Sequence, residues 1–366
     1  MDLKVFFASK HGLDPYQDKN FDREIKWESL KLDFDHTFLP GAANRKPSAK
    51  IDCHAVVDSL VGFDPDIVLV YGYIQPLQRR VMRWAKANGR QLLLVGDSEL
   101  RQARGRVKGF VKKLWLPRVF SSIDLFLTVG DANEAYYRSY GVPDYKFVRM
   151  FFPIDTTSFD QSLNDREQQR ARVRRLLGIP HDHMVVLMVG KLVSWKRQAD
   201  LVKVSNLLQS GSSQITIVLA GTGPDSDRLN SEAQASGPGG VVFAGFIPPE
   251  ELVHYYLAAD VYVHCSAKEP HSLAISEAIY AGLPVVVSDR CGSYGPSDDV
   301  QVGLNGYVYP CGDVTILAAL LEKYSKKPTV RQRLGSESRR IGTAHQTLAH
   351  AKSICQVVDA LAMIKD

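Results

Sequence analysis

Two glutamates bracket the segment E-P-H-S-L-A-I-S-E, which occupies residues 269–277. An apolar run at 261–264 precedes Glu269, and the apolar spacing that begins at Leu273 predicts a helix around Glu277. Carboxylates accept hydrogen bonds from hydroxyl groups. Because one carboxylate is predicted in a loop and the other inside the following helix, the pair can contact different parts of one extended ligand.

The start of this predicted helix has the features of an anion site. Ser272 lies where an N-cap residue is expected, and Gly282 with Pro284 marks the end of the helix. The N–H groups of a first turn have no partner within the helix and carry the positive end of its dipole. A helix that begins at the carboxyl end of a parallel strand therefore predicts a phosphate site.

Short apolar runs alternate with longer, more polar segments along the chain, which is typical of parallel sheets covered by helices. Strands are predicted at 5–7, 67–71, 92–95, 125–129 and 147–151, and then at 185–189, 215–219, 241–243, 261–264 and 284–287. Helices are predicted at 197–208 and 250–258, and after residue 313 with a break at 342–343. Two successive α/β units are the simplest account.

A polar segment without a predicted strand, residues 160–183, separates the two series and is predicted to hold the domain junction. We therefore predict an N-terminal Rossmann-like domain at 1–165, a C-terminal one at 166–345 and a final helix at 346–366. The length of 366 residues agrees with two domains, because one hydrophobic core rarely supports so long a chain.

The composition is that of an ordinary globular protein. A net charge of +5 is a mild excess, which favours attraction to phosphates over nucleic-acid binding. The five cysteines are scattered and lack zinc-like spacing, which is typical of reduced cytosolic thiols. Neither a signal peptide nor an apolar stretch of the roughly 18 residues that a membrane span requires is recognisable. We expect a cytoplasmic protein.

The segment 269–277 resembles the E-x7-E motif of the retaining GT-B glycosyltransferases of family 4, and A-G-L-P-V-V at 281–286 is the usual continuation of that motif. Further segments match the family in order along the chain: G-V-P at 141–143, F-P-I-D at 152–155, V-G-K at 189–191, W-K at 195–196, A-G-T-G-P at 220–224, F-A-G-F at 243–246, N-G at 305–306 and G-D at 312–313.

The resemblance implies a GT-B fold, an α/β architecture in which two Rossmann-like domains face each other across a cleft. The C-terminal helix, 346–366, is expected to pack back on the N-terminal domain. The implied enzyme is a hexosyltransferase that moves a sugar from a nucleoside diphosphate sugar, UDP-linked by family frequency, to an acceptor hydroxyl with retention. Polysaccharide, glycolipid or glycoconjugate biosynthesis is the expected pathway.

The two glutamates take their implied roles from the family motif. The second glutamate binds the ribose hydroxyls and the first contacts the transferred sugar, which assigns these roles to Glu277 and Glu269. The backbone N–H groups of Ser272, Leu273 and Ala274 are expected to hold the diphosphate. The family usually has glycine where this chain has Ser272, and a serine there is strained in a left-handed conformation but acceptable as an N-cap.

Lys191 and Lys196 occupy the places of the family's arginine and lysine, whose charges neutralise the leaving diphosphate. Lysine at the first place is a departure, because arginine binds phosphate through a planar fork whereas lysine acts as a point charge. The resemblance makes Lys191, Lys196 and Glu269 the candidate catalytic residues. The alternative for the lysines is an exposed pair after a strand.

Four further residues are candidates for donor contacts: Gly12, Gly221, Gly223 and Phe246. The glycines would let backbone approach the nucleotide, and the alternative for Gly221 and Gly223 is a tight turn. Phe246 lies at the family's place for contacts to the base, or packs in the core. The family's N-terminal histidine has no match, and Asp97, which follows the corresponding strand, either faces the cleft or caps the next helix.

No metal or other cofactor is expected. The lysines take the role that a divalent ion bound by a D-x-D motif has in the other main glycosyltransferase fold. The chain contains D-F-D at 33–35 and D-P-D at 64–66, but both precede apolar runs instead of closing a strand. We interpret both as structural, and activity that vanishes with EDTA would overturn this interpretation.

Residues 101–118 form a basic stretch without any acid, in which apolar residues alternate with Arg104, Arg106, Lys108, Lys112 and Lys113. Such a segment can contact an anionic membrane at its inner face, or a phosphate-bearing, lipid-linked acceptor. The alternative is a solvated helix face whose apolar side packs on the domain core. Equal binding to neutral and anionic liposomes would contradict the electrostatic contact.

Other functions stay open at this point. A GT-B nucleotide-sugar epimerase shares the fold and would interconvert sugars without an acceptor. A non-catalytic sugar-nucleotide-binding protein is suggested by the departures at Ser272 and Lys191, and unchanged turnover after Glu269→Ala would support it. A Rossmann dehydrogenase is disfavoured, because G-x-G-x-x-G does not follow the first strand.

Overall fold

The computed structural model describes residues 2–11, 13–18, 23–25, 32–42, 50–101, 106–209, 214–235 and 240–363. In the first half, its elements are β1 Val5–Phe7, β2 Tyr16–Asp18, β3 Arg23–Ile25, β4 His36–Phe38, α1 Val56–Phe63, β5 Ile67–Tyr71, α2 Pro76–Ala87, β6 Gln91–Gly96, α3 Arg106–Phe120, β7 Leu125–Thr128, α4 Asp131–Arg138, β8 Phe147–Arg149 and α5 Thr156–Leu163.

The second half continues the alternation of strands and helices. Its elements are α6 Arg166–Leu176, β9 Met184–Val189, α7 Gln198–Gln209, β10 Ile215–Ala220, α8 Ser226–Ala235, β11 Val241–Gly245, α9 Pro249–Ala258, β12 Val261–His264, α10 Leu273–Tyr280, β13 Val285–Ser288, β14 Gly306–Tyr309, α11 Val314–Lys326, α12 Pro328–His345 and α13 Leu348–Met363.

The first half is organised around parallel strands that pair in the order β5-β6-β7-β8. β1 pairs with β4, also in parallel, and β2 pairs with β3 in an antiparallel ladder. Five of the six residues of β6 are buried, as expected for a parallel strand with both faces covered. The core over this sheet is rich in aromatic side chains, among them Phe120, Phe126, Tyr136 and Tyr137.

The second half contains a sheet whose described strands are all parallel and follow the order β11-β10-β9-β12-β13-β14. Successive residues of β9 alternate between two cores: Val185 and Leu187 pack on one face, Val186 and Met188 on the other. Because both faces are covered, the strands read as continuous apolar runs, which explains why the sequence reveals them.

The strand order of this sheet reverses between β9 and β12, which are neighbours in the sheet although two strands separate them in the chain. At such a reversal the helices that follow the two strands lie on opposite faces, and a crevice opens at the carboxyl ends. The loop after β9 carries Lys191 and Lys196, and the loop after β12 carries Glu269. The fold therefore positions the predicted catalytic residues at the expected place for a ligand.

The predicted break before the last helix exists, but it lies at residues 346–347 and not at 342–343. α12 continues through Gly342 to His345, and α13 begins at Leu348. A Cβ atom at Gly342 would lie 2.8 Å from the backbone nitrogen of Tyr280, so this glycine allows α12 to pack closely on α10. It serves helix packing rather than helix termination.

The segment between the two sheets packs mainly with the second half. Phe159 in α5 is buried in the core that contains Tyr256 and Tyr280. The side chain of Gln346, just before α13, donates to the carbonyl of Phe152 at 3.0 Å and accepts from the N–H of Ile154 at 3.1 Å. The boundary after residue 165 and the packing of helix 346–366 on the N-terminal domain stay predictions.

The D-P-D segment forms a turn. Asp64 ends α1 in the left-handed conformation, with φ of 51°, and its carboxylate pairs with Arg90, which also lies 3.7 Å from Asp66. In the described part of the chain, every helix is too short or too polar to cross a membrane.

Candidate active site

The loops after β9 and β12 are joined by a backbone hydrogen bond, in which the N–H of Ala267 donates to the carbonyl of Trp195 at 2.8 Å. Trp195 lies in a short 3-10 helix, Ser194–Lys196, that ends the first loop. This contact brings the ammonium group of Lys196 against the carboxylate of Glu269, and the two form an ion pair. Two of the three predicted catalytic residues therefore meet.

The carboxylate of Glu269 is held through one of its oxygens. Lys196 Nζ, His264 Nε2 at 2.9 Å and Ser266 Oγ at 3.2 Å all contact Oε2. Burial would raise the pKa of Glu269, but the hydrogen bond with His264 and the charge of Lys196 outweigh it and hold the pKa at about 2. Glu269 is therefore an anion at neutral pH.

Ser272 lies at the N-cap of α10 in an extended conformation, with φ of −132° and ψ of 116°. A side chain is unstrained there, which removes the conflict raised by the replacement of glycine. The hydroxyl of Ser272 does not cap the helix, and its N–H donates to Ser293 Oγ at 3.1 Å. Among the described residues, the N–H groups of Leu273 and Ala274 have no acceptor, so these two groups are available to an anion, and their contact with a diphosphate stays a prediction.

Glu277 lies in α10, half-buried, and accepts a hydrogen bond of 2.6 Å from the hydroxyl of Tyr256. Burial raises the pKa of Glu277 to about 7, and the hydrogen bond from Tyr256 offsets this only in part. The two glutamates of the motif thus differ in charge at neutral pH: Glu269 is ionised and Glu277 is half-titrated.

Lys191 makes a contact between the two halves of the chain. Its Nζ donates to Asp18 Oδ2 at 2.6 Å, and Asp18 is the last residue of β2 in the first half. Lys191 is therefore paired with a carboxylate of the first half, and its contact with a phosphate stays a prediction.

The glycines after β10 are required by packing within the protein. A Cβ atom at Gly221 would lie 2.0 Å from the carbonyl oxygen of Gly190, and one at Gly223 would lie 2.3 Å from that of Leu192. This favours the tight-turn alternative for both residues. Phe246 is half-buried, directly after Gly245, and Gly12 lies outside the described residues.

Asp97 is exposed after β6 and does not cap a helix, because the described residues that follow it directly, 98–101, are not helical. In the described C-terminal part of α3, Leu116 is buried in the core while Lys113 and Leu114 are exposed. This arrangement agrees with the alternative of a solvated face whose other side packs on the core, and the membrane contact stays a prediction.

Arg101 and Asp131, from the first half, hold residues 290–299, which we call the interface loop. Arg101 donates to the carbonyls of Cys291 at 2.8 Å and Tyr294 at 3.0 Å, and its guanidinium lies 3.6 Å from the centre of the Tyr294 ring. The carboxylate of Asp131 accepts from the N–H and the hydroxyl of Ser297 at 2.8 and 2.6 Å.

The same loop supports the site from behind. The N–H of Gly292 donates to the carbonyl of Glu269 at 2.7 Å, and Ser293 accepts the N–H of Ser272. The interface loop, which the first half of the chain holds in place, therefore contacts both Glu269 and Ser272.

His271, Asp298 and Asp299 are buried below the start of α10, with ligand atoms within 4.8 Å of one another. The carboxylates are engaged with protein donors: Asp299 with Ser276 Oγ at 2.6 Å and His345 Nδ1 at 3.0 Å, and Asp298 with the N–H of Asp131 at 2.8 Å. We interpret the group as support for the contact between the two halves.

Sequence reasoning missed several residues that contact the predicted ones, among them Asp18, Tyr256, His264 and Ser266. A signal existed for His264, since it is the polar end of an otherwise apolar strand, V-Y-V-H, directly before the motif. Asp18 and Tyr256 had no comparable signal, because they come from distant segments.

Comparisons with known proteins show which family the second half of the chain resembles. Residues 169–341 match the family model of glycosyl transferases group 1. The chain is 31% identical over 174 residues to an uncharacterized glycosyltransferase of Methanocaldococcus jannaschii, covering 47% of this chain and 43% of that protein. It is 27% identical over 174 residues to the alpha-monoglucosyldiacylglycerol synthase of Streptococcus pneumoniae, covering 47% and 38%. The matches thus span less than half of these relatives.

Among solved structures, the fold resembles that of Anabaena HepE in complex with UDP and glucose, with a TM-score of 0.65 and 17% identity over 89% of this chain and 86% of that one. This likeness confirms the predicted α/β fold class of the GT-B type. Lys191, Lys196, Glu269 and Glu277 all lie within 169–341. The half of the chain that carries the site is therefore similar to group 1 glycosyltransferases.

Proposed function

We propose that this protein is a retaining glycosyltransferase of family 4 that moves a sugar from a nucleoside diphosphate sugar to an acceptor hydroxyl. The observation that carries the proposal is the contact of Lys196 with Glu269 at the reversal of the strand order, beside a helix start with unpartnered N–H groups. HepE, a protein of the same fold, was solved with UDP and glucose, which supports a UDP-linked donor.

Catalysis would depend on neutralising the diphosphate as the bond to the sugar breaks. Lys196, Lys191 and the N–H groups of Leu273 and Ala274 supply positive charge and hydrogen-bond donors to the leaving group. The fold fixes the positions of these groups before the donor binds. Only the two lysines would change partners, from the carboxylates of Asp18 and Glu269 to the diphosphate. Glu277 would accept a hydrogen bond from the ribose.

The state of Glu269 supports a mechanism without an enzymic nucleophile. An anion with a pKa of about 2 has no proton to give, and three donors on one oxygen weaken it as a nucleophile. The acceptor hydroxyl would attack from the face that the diphosphate leaves, and the departing phosphate would take its proton. Retention of configuration follows from attack on that face.

The proposed acceptor is a sugar, a glycolipid or another lipid-linked molecule in polysaccharide or glycoconjugate biosynthesis. The relative from Streptococcus pneumoniae is named for a glycolipid product, which supports a lipid acceptor. Exposed Lys113 and Leu114 on α3 would contact an anionic membrane from the cytoplasmic side. The proposal includes no metal.

The experiment that tests the function is a panel of nucleoside diphosphate sugars, each added to the full chain during thermal unfolding. A donor that binds only the folded state raises the apparent melting temperature. We expect a UDP-sugar to give the largest rise, and transfer to an acceptor to continue with EDTA present. A panel without any effect would contradict the proposal, and sugar interconversion without acceptor would replace it with an epimerase.

Donor binding is expected to strengthen as the pH rises through 7, because the ionised form of Glu277 is the better acceptor for a ribose hydroxyl. With a pKa of about 7, the ionised fraction rises roughly tenfold between pH 6 and 8. Calorimetry with the sugar nucleotide measures this, since its diphosphate does not titrate in that range. Glu277→Gln should remove the dependence, and an equal slope in that variant would contradict the assignment.

The raised pKa of Glu277 also predicts how the free energy of unfolding depends on pH. A carboxyl whose pKa is raised by folding holds its proton longer in the folded state, so stability falls as the pH rises from about 4.5 through 7. Glu277→Gln should flatten this part of the unfolding curve as well.

Asp18→Asn is expected to raise the affinity for the donor about three- to tenfold, because Lys191 then gives up a neutral partner instead of an anion when phosphate arrives. Titration of the UDP-sugar against both proteins measures the effect. Asp14→Asn is the matched control, since Asp14 is an exposed acid near the same strand. Weaker donor binding in Asp18→Asn would show instead that the bond holds the site open.

A further inference from the structure

We infer that Tyr262, His264 and Ser266 form a hydrogen-bonded chain, here called the Glu269 support, that positions the carboxylate of Glu269 and keeps its second oxygen free for the transferred sugar. The inference rests on the proposed function and deepens it. It makes His264 a positioning residue of the site, acting through Glu269.

The spacing of the three residues follows from the strand. Tyr262 and His264 are two residues apart in β12, so their side chains lie on the same face, with ring centres 6.1 Å apart. The hydroxyl of Tyr262 lies 3.1 Å from His264 Nδ1. Ser266 follows two residues later, and its Oγ lies 3.0 Å from His264 Nε2. The chain thus runs from the core to the end of the sheet.

The charge of Glu269 determines where the proton of His264 lies. A carboxylate only accepts, so the Nε2 atom, 2.9 Å from Oε2, must carry the hydrogen. Burial lowers the pKa of His264, so the ring is neutral and its Nδ1 has a lone pair. The hydroxyl of Tyr262 can then only donate to Nδ1. The tautomer with its hydrogen on Nε2 therefore satisfies the contacts with Glu269 and Tyr262, while Ser266 Oγ shares the Nε2–H and donates its own hydrogen to Oε2.

His264 is a buried polar side chain, which indicates that its ring nitrogens have a structural or functional role. The ring is fully buried, and its strand neighbours Val261 and Val263 pack in an apolar core. A buried polar ring costs free energy unless its nitrogens are hydrogen-bonded. Both nitrogens are bonded here, and one of the bonds is directed at the first glutamate of the motif.

The support leaves the other oxygen of Glu269 available. All three described contacts reach Oε2, and Oε1 has no hydrogen-bond partner among the described residues. When a diphosphate draws Lys196 away, His264 and Ser266 remain to hold the carboxylate in place. Glu269 then presents Oε1, with its orientation unchanged, to a hydroxyl of the sugar.

The test compares His264→Phe with His264→Gln in the full chain. The phenyl ring keeps the volume and removes the donor, and the glutamine amide restores an N–H near the position of Nε2. We expect His264→Phe to lower kcat about 10- to 100-fold with the affinity for UDP within about twofold of wild type, because UDP lacks the sugar that Glu269 contacts. His264→Gln should recover most of the loss.

Two results in these variants would overturn the inference. One is a wild-type kcat in His264→Phe. The other is an equal loss of kcat and UDP affinity in both variants, which would show that His264 is needed only for packing.

A second measurement does not depend on any donor. Nitrogen-15 NMR of histidine-labelled protein at pH 7, with the His264 signal assigned through His264→Gln, should show the neutral Nε2–H tautomer, and Glu269→Gln should change it. An Nδ1–H tautomer would overturn the support. If the tautomer is as expected but no sugar nucleotide binds, the support stands and the proposed function fails.

Discussion

Replacing Glu269 by glutamine should lower the rate of sugar transfer about 10²- to 10³-fold, equivalent to roughly 3–4 kcal/mol of transition-state stabilisation. The amide keeps the size of the side chain and removes the charge that Lys196 and His264 contact. Affinity for UDP alone should change little, because UDP lacks the transferred sugar that Glu269 is proposed to contact. Initial rates with the donor from the panel, together with UDP titration, measure both effects.

Glu250→Gln is the matched control for this change, because it removes the same charge from an exposed position in the first turn of α9. The control should retain wild-type rates. Full activity in Glu269→Gln would remove the first glutamate from the mechanism and favour a non-catalytic sugar-nucleotide-binding protein.

Lys196→Met should lower kcat by a similar factor, about 10²- to 10³-fold, and should also weaken donor binding, because the lost charge meets the diphosphate in the ground state and more strongly as it leaves. Burial of the methionine is compatible with the half-buried position of Lys196. Steady-state kinetics over a range of donor concentrations separates the loss in kcat from the change in KM.

Lys203→Met provides the control for the lysine, since Lys203 is exposed on α7 and carries the same charge. If Lys196→Met raises KM while kcat stays unchanged, the lysine binds the donor equally well in the ground state and in the transition state. It would then not contribute to catalysis of the chemical step. That result would move the catalytic role to Lys191 and the start of α10.

The fold could be predicted from the sequence to the extent that its signals are local. The sequence predicts Val5–Phe7, Ile67–Tyr71 and Val261–His264 with the bounds that the structure has, because each is an apolar run bounded by polar residues, although only Val261–His264 is buried throughout. β4, whose sequence is H-T-F, lacks such a run, and the structure identifies it only through its pairing with β1. The break was predicted at Gly342 because glycine often ends a helix. In a sequence, a glycine that ends a helix cannot be distinguished from one that allows two helices to pack closely, which is the role of Gly342.

For the candidate site, too, local features could be predicted from the sequence, whereas contacts between distant residues could not. The sequence alone placed Glu269 and Ser272 in one loop-helix unit, since the spacing of apolar residues in α10 is a local pattern. The engagement of the Ser272 N–H by Ser293 and of Lys191 by Asp18 could not be predicted, because each joins residues far apart in the chain. Such contacts depend on how loops are folded against one another.

The interface loop has a consequence for recombining this protein with its relatives. Glycines stand on both sides of the contact: a Cβ atom at Gly130 would lie 2.4 Å from Asp298 Oδ2, and one at Gly295 would lie 2.2 Å from Asp131 Oδ2. A chimera that joins this first half to the second half of a relative would therefore keep this contact without a shift of Asp131 only if it had a glycine at the position of Gly295 and an acid at that of Asp298. The two halves of this chain are fitted to each other at this contact, so they are better exchanged as a matched pair than one at a time.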